Sequence, residues 1–131
     1  MPSPKLERVK ARNRALSDLL DRTASYVRRQ ISSGEKFVIP KLAAAMLNIN
    51  EGEAFVLLKI LAEGGILQQV YNVYCRPTGI YLTTVDSLHQ LDDLEKIPYC
   101  NDCDTQHEPQ DLTVEIAFRP KNGLIDAGLA A

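Results

Sequence analysis

Four side chains in this sequence have the types and spacing that chemistry needs. Cys100 and Cys103 form a Cys-x-x-Cys pair in Tyr99-Cys100-Asn101-Asp102-Cys103, His107 follows after three residues, and Cys75 lies well upstream. A Cys-x-x-Cys pair presents two thiolates from one tight turn, and tetrahedral zinc takes four sulfur or nitrogen ligands. The pair therefore points to a metal site, provided that a partner turn supplies the other donors. Three readings compete: free thiols of no consequence, a redox dithiol, and a Cys100–Cys103 disulfide. Redox chemistry needs a thiol pKa lowered by a helix N-terminus or by neighbouring cations. Asp102, Asp104 and Glu108 act the other way and favour a divalent cation nearby. A disulfide disagrees with the reduced, cytosolic setting that the odd count of three cysteines suggests.

Catalytic motifs are wanting. The sequence holds no Gly-rich phosphate loop, no Gly-x-Ser-x-Gly elbow and no His-Glu-x-x-His. A cysteine nucleophile with His107 as base is compatible with the spacing, but the same atoms explain themselves better as metal ligands. Asp92, Asp93 and Glu95 lack the partner nucleophile or base that a hydrolase would need. A non-enzyme is expected.

These residues must be positioned by a chain of 131 residues, 45 % hydrophobic and 24 % charged. That is enough to bury a core without disulfides. No apolar run approaches the roughly 18 residues of a membrane span. The Pro- and charge-rich start does not read as a signal peptide. A cytoplasmic protein is expected. The net charge of −2 hides an asymmetry. Residues 1–29 hold eight Lys/Arg against three Asp/Glu, and residues 30–131 hold seven against fourteen. The molecule is a basic arm on an acidic body.

After a lead at residues 1–4, Lys5 to Ser32 lacks Gly and Pro and reads as one long helix. Its stripe is Leu6, Val9, Leu16, Leu20, Ala24, Val27 and Ile31, widened by Leu19 and Tyr26. Gly34 stops it. Lys36 to Ile39 is a short strand. Pro40 opens a second helix to Leu47, and Asn50 with Glu53 forms a capping box for a third, ending at Gly64-Gly65. Ile66 to Cys75 and Ile80 to Thr84 read as a hairpin around Arg76-Pro77-Thr78-Gly79. Val85 to Lys96 reads as a short acidic helix with Leu88, Leu91 and Leu94 inward. Thr113 to Arg119 is a last strand, and residues 121–131 read as a flexible tail.

The residues Ile39-Pro40-Lys41-Leu42-Ala43, Leu47-Asn48-Ile49, Ala54, Leu57-Leu58, Leu61 and Gly65-Ile66-Leu67 resemble a winged helix-turn-helix domain over about residues 14–84. The resemblance implies an α+β fold: a long first helix, a helix-turn-helix and a β-hairpin wing, within a domain of residues 1–84. It also implies a recognition helix running from Asn50 to Lys59. The first turn of that helix carries Glu51 and Glu53, which complement its dipole but repel phosphate. Lys59 is the only base on it, and Arg76 the only one on the wing. That face suits a protein partner better than DNA. The other nucleic-acid surface is the N-terminal arm. Arg8 with Arg12 and Lys10 with Arg14 share helix faces, and Arg28-Arg29 adds a second cluster. A solvated helix face, or a first helix packing against a second copy, explains the same row.

The chain from about residue 70 to 120 resembles a zinc ribbon. Cys75-Arg76-Pro77-Thr78-Gly79 is similar to a Cys-Pro-x-Cys-Gly knuckle whose second cysteine has become Thr78, and Cys100 to His107 is similar to the other knuckle. The resemblance implies a ligand set of Cys75, Cys100, Cys103 and His107, with His89 the less favoured fourth donor. Four protein ligands leave no open position, so the zinc would be structural. The expectation that follows is a non-catalytic winged-helix/zinc-ribbon-like binding module. It would serve as an adaptor or regulatory component of a prokaryotic system. The alternative is a DNA-binding transcriptional regulator, dimeric through its first helix.

Overall fold

Asn13 interrupts the long first helix that the periodicity predicts. The computed structural model describes residues 4–92 and 97–121. In it, α1 covers Pro4–Arg12, a 3-10 turn covers Arg14–Leu16, and α2 covers Ser17–Ser32. Asn13 leaves helical geometry at φ −133°, ψ 56°. Its backbone N–H donates to the Lys10 carbonyl at 3.1 Å, and its side-chain Nδ2 donates to the Val9 carbonyl at 2.9 Å. A short amide side chain competes in this way for carbonyls that a continuing helix would use. The apolar stripe survives the break: Leu6, Val9, Leu20, Ala24, Tyr26 and Val27 are buried.

The next elements follow their local signals. α3 is Pro40–Leu47, with proline at its first position and Asn48 closing it in the left-handed region at φ 58°. α4 is Glu51–Glu63. Asn50 Oδ1 accepts from the Glu53 N–H at 2.7 Å, and Glu53 Oε1 accepts from the Asn50 N–H at 3.2 Å. Gly64 ends the helix where α1 comes closest: a Cβ there would overlap Val9 Cγ2. Gly64→Ala should therefore cost about 1–3 kcal/mol, the usual penalty of forced overpacking. Urea denaturation checks this, and an unchanged midpoint would mean that α1 does not dock as closely as described.

Strands β1 (Leu67–Cys75), β2 (Tyr81–Val85) and β3 (Leu112–Pro120) form a sheet in the order β2-β1-β3. β1 and β2 pair antiparallel, Tyr71 opposite Val85 and Val73 opposite Thr83, with an irregularity between Val73 and Tyr74. β3 also runs antiparallel to β1. Lys121 donates to the Ile66 carbonyl at one end, and Arg76 donates to the Asp111 carbonyl at the other. The fold class is thus mixed α+β. The expected Lys36–Ile39 strand is reduced to one bridge, Val38 opposite Phe118, with backbone bonds of 2.8 and 2.9 Å.

The chain divides into two compact units, Met1–Gln69 with Phe118–Ala131, and Val70–Ala117. The first holds the helices and thirteen Lys/Arg against eight Asp/Glu; the second holds two against nine. The second is built on a small core of Val73, Val85, Ile97 and Leu112, with Tyr71, Leu82 and Leu91 packed against it. The expected Val85–Lys96 helix is a 3-10 segment, Leu88–Asp92. Leu91 faces the core, but Leu88 is 51 % exposed. Leu94 lies outside the described residues, as do residues 122–131 of the tail. No helix among the described residues is long and apolar enough to cross a membrane.

Candidate metal centre

The Val70–Ala117 unit brings two tight turns together. The first begins where β1 ends. The Gly79 N–H donates to the Cys75 carbonyl at 2.7 Å, and the Cys75 N–H donates to the Ile80 carbonyl at 2.8 Å. This closure needs a left-handed residue, and Gly79 supplies it at φ 74°. The second turn is pinned by a reciprocal pair, Cys100 N–H to Thr105 O at 2.9 Å and Thr105 N–H to Cys100 O at 3.2 Å. Asp104 turns the chain at φ 53°. The Tyr99 hydroxyl donates to Asp104 Oδ1 at 2.5 Å, which pushes the Tyr99 phenol above its ordinary pKa. Cys103 sits inside this loop. Arg76 ties the first turn to the start of β3: its guanidinium donates to the Leu112 carbonyl at 3.1 Å.

The ligand atoms of Cys75, Cys100, Cys103 and His107 all lie within 4.8 Å of one another. Cys75 Sγ and Cys103 Sγ are 3.5 Å apart. Cys75, Cys100 and His107 are buried, and Cys103 is half-buried. No disulfide joins the cysteines. The four residues named from the sequence are thus the four that the fold assembles. His89 is exposed and is not among them.

Two observations show that these donors suit a cation. First, His107 Nε2 is buried without a hydrogen-bond partner. An orphaned buried nitrogen costs about 1–3 kcal/mol, unless something absent from the protein satisfies it. Second, His107 Nδ1 faces Asp111 Oδ2 at 3.9 Å. That separation is longer than a hydrogen bond, so the carboxylate acts on the ring through its charge, on the side away from Nε2. The thiols are already unequal. Hydrogen bonding from the Thr78 hydroxyl draws Cys75 down to about 6, against burial, with help from the Thr78 N–H and Cys103. The Cys75 sulfur and burial push Cys103 up to about 12. Thr78 thus acts on the Cys75 sulfur as a donor. Three sulfurs and one imidazole nitrogen are a donor set compatible with a metal ion.

Asp111 and the supporting role of Thr78 escaped the sequence reading. The signal for Asp111 was its spacing, four residues beyond His107. Asp111→Asn is expected to weaken metal affinity by about 10–100-fold while leaving the four ligands in place. Competition with a chromogenic chelator measures it, and an unchanged affinity would remove Asp111 from the site.

The basic row is less available than its spacing suggests. Lys10 Nζ pairs with Asp21 at 2.9 Å and with Glu7 at 3.4 Å, which raises its pKa. Arg28 is half-buried, its Nε without a partner. Arg8, Arg12, Arg14 and Arg29 are exposed. On α4, Glu51 and Glu53 are exposed, and Lys59 Nζ donates to Gln69 Oε1 at 3.1 Å. Compared with protein-family models, with curated proteins and with solved structures, the chain matches none.

Proposed function

We propose that this chain is a non-catalytic binding module with a structural zinc ion held by Cys75, Cys100, Cys103 and His107. The observation that carries the metal reading is the closed donor set with its orphaned His107 Nε2. A cation there would receive all its ligands from protein and leave no position for an activated water, so its role would be to staple the unit. Around it, two turns followed by strands support the zinc-ribbon-like reading. Along the chain, the order α2, the Val38 bridge, α3, α4 and the β1–β2 hairpin supports the winged-helix reading.

Elemental analysis of chain purified without chelator tests the metal. About one zinc per chain is expected, and less than a few tenths would remove the reading. Cobalt substitution should give the visible bands of a tetrahedral thiolate site.

The module's role is that of a cytoplasmic adaptor or regulatory component with a protein partner. The acidic first turn of α4 supports this. The exposed Arg8, Arg12 and Arg14 favour a second reading, a DNA-binding regulator. Fluorescence anisotropy on random duplex DNA separates the two. The adaptor reading expects no binding at about 50 mM salt. Binding with a steep salt slope, lost when Arg8, Lys10, Arg12 and Arg14 become Ala, would establish the regulator instead.

A further inference from the structure

A recess of about 270 Å3 lies within the Val70–Ala117 unit, between the start of β2 and the turn that carries the Cys-x-x-Cys pair. Ile80 and Tyr81 line it from β2, and Tyr99, Asn101 and Asp102 line it from the turn. It is smaller than a usual cofactor site and suits a single side chain. Ile80, Tyr81 and Tyr99 are three of the eight large hydrophobic residues exposed among the described residues, at 44 %, 50 % and 48 %. Such residues are ordinary when scattered, but gathered in one recess they mark a contact surface. The two phenol hydroxyls are already committed. That of Tyr99 donates to Asp104 Oδ1. That of Tyr81 lies 2.6 Å from Thr84 Oγ1, whose own proton goes to Asn72 Oδ1 at 2.7 Å, so Tyr81 is the donor to Thr84. The Tyr81 ring also meets Tyr74 edge-on, with centroids 6.0 Å apart. Both rings are held by contacts within the unit, and what they offer a ligand is aromatic surface instead of an O–H.

Charge decides the occupant. The exposed polar residues of the lining are a carboxylate, Asp102, and an amide, Asn101, and no Lys or Arg lines the recess. The unit around it holds two Lys/Arg against nine Asp/Glu. An anion would be repelled here. A cation gains from both kinds of wall, because the face of a tyrosine ring attracts positive charge and a carboxylate pairs with it. Arginine fits this pair of walls better than lysine: its planar guanidinium stacks on aromatic rings and bonds a carboxylate through two parallel N–H groups. We propose that this recess takes an arginine side chain of a partner protein, with the guanidinium against Tyr81 and Tyr99 and bonded to Asp102, and the aliphatic stem against Ile80. The proposal rests on the binding-module reading, to whose partner it gives a chemistry. Zinc content measured on the same samples keeps the two apart. A chain without zinc fails the metal reading, and a zinc-loaded chain that ignores arginine fails this proposal alone.

Nitrogen-15 NMR titration of the full chain with the blocked peptide Gly-Ser-Arg-Ser-Gly tests it. Saturable shifts are expected at the amides of Ile80–Leu82 and Asn101–Asp102, at about millimolar peptide, since a single side chain supplies the affinity. Citrulline in place of the arginine keeps the shape and removes the charge, so that peptide should give no shifts. Tyr81→Leu, Tyr99→Leu and Asp102→Asn should each weaken binding about threefold or more. Asp86→Asn, an exposed acid of the same unit outside the recess, should leave it within about twofold. Absence of shifts with the arginine peptide overturns the proposal. So do equal shifts with the citrulline peptide, binding that Tyr81→Leu and Asp102→Asn leave intact, or an equal loss in Asp86→Asn, which would mean diffuse attraction to an acidic unit. Shifts of the same amides on dilution of the chain alone would overturn it in favour of an arginine from a second copy.

Discussion

Cys75→Ser is expected to strip the chain of bound metal and to abolish slow amide exchange across Val70–Ala117, while the protected amides of α2, α3 and α4 remain. The reason is the imbalance within that unit. Among the described residues its core cluster is small: Val73, Val85, Ile97 and Leu112, with Tyr71, Leu82 and Leu91 packed against them. A unit of this size seldom stands on so little apolar area and turns to metals or disulfides. The stretch from Ile97 to His107 has one bridge of its own, Cys100 opposite Thr105. The donor set joins that stretch to the end of β1. A structural zinc site contributes on the order of 10–16 kcal/mol at neutral pH, comparable to the whole stability of a domain. Losing one thiolate also leaves His107 Nε2 buried and unsatisfied. Cys100→Ser should behave alike, and the exposed His89 serves as the control, because His89→Ala should change neither zinc content nor exchange. Hydrogen exchange with elemental analysis reads both quantities. Full zinc and intact protection in Cys75→Ser would dismiss the centre.

The clustering of three cysteines and a histidine was legible because it depends on residue type and on turns that announce themselves locally. Cys-x-x-Cys, the Gly79 turn and the capping box at Asn50 and Glu53 are short-range signals, and each appears in the structure where its residues stand. What could not be read was either a local signal hidden under a stronger pattern or a contact across the sequence. The break at Asn13 is a local signal that the continuous apolar stripe masked. Asparagine is tolerated in a helix until a carbonyl is free to accept its amide, as that of Val9 is here. The inward Leu88 failed because a period-3.6 pattern over a few residues does not distinguish a helix from a 3-10 segment whose side chains fall elsewhere. Lys10 looked like one of four bases in a row. Its partner Asp21 lies eleven residues on, beyond a turn that the helical reading did not contain.

Phe118→Ala is expected to cost about 3–5 kcal/mol, a large fraction of total stability for a chain of this size. Phe118 is completely buried, and its ring lies tilted against Phe55 with centroids 6.1 Å apart. Its backbone holds Val38, itself buried, through both hydrogen bonds of the bridge. Alanine keeps that N–H and C=O, so the loss would come from the cavity and from the missing contact with α4, not from the bridge. The effect reaches the acidic turn of α4 through position. Val38 lies two residues before α3, and Phe55 sits in the second turn of α4, two residues beyond Glu53. A collapsed Phe118 site should therefore loosen the helix pair that carries the acidic face, even though no residue of that face is changed. Val114→Ala is the control: the residue is on the same strand but 37 % exposed, and its loss should stay near about 0.5 kcal/mol. Urea denaturation followed by far-UV circular dichroism measures both. A loss below about 1 kcal/mol for Phe118→Ala would mean that the strand's return to the helices does not hold α3 and α4 in place.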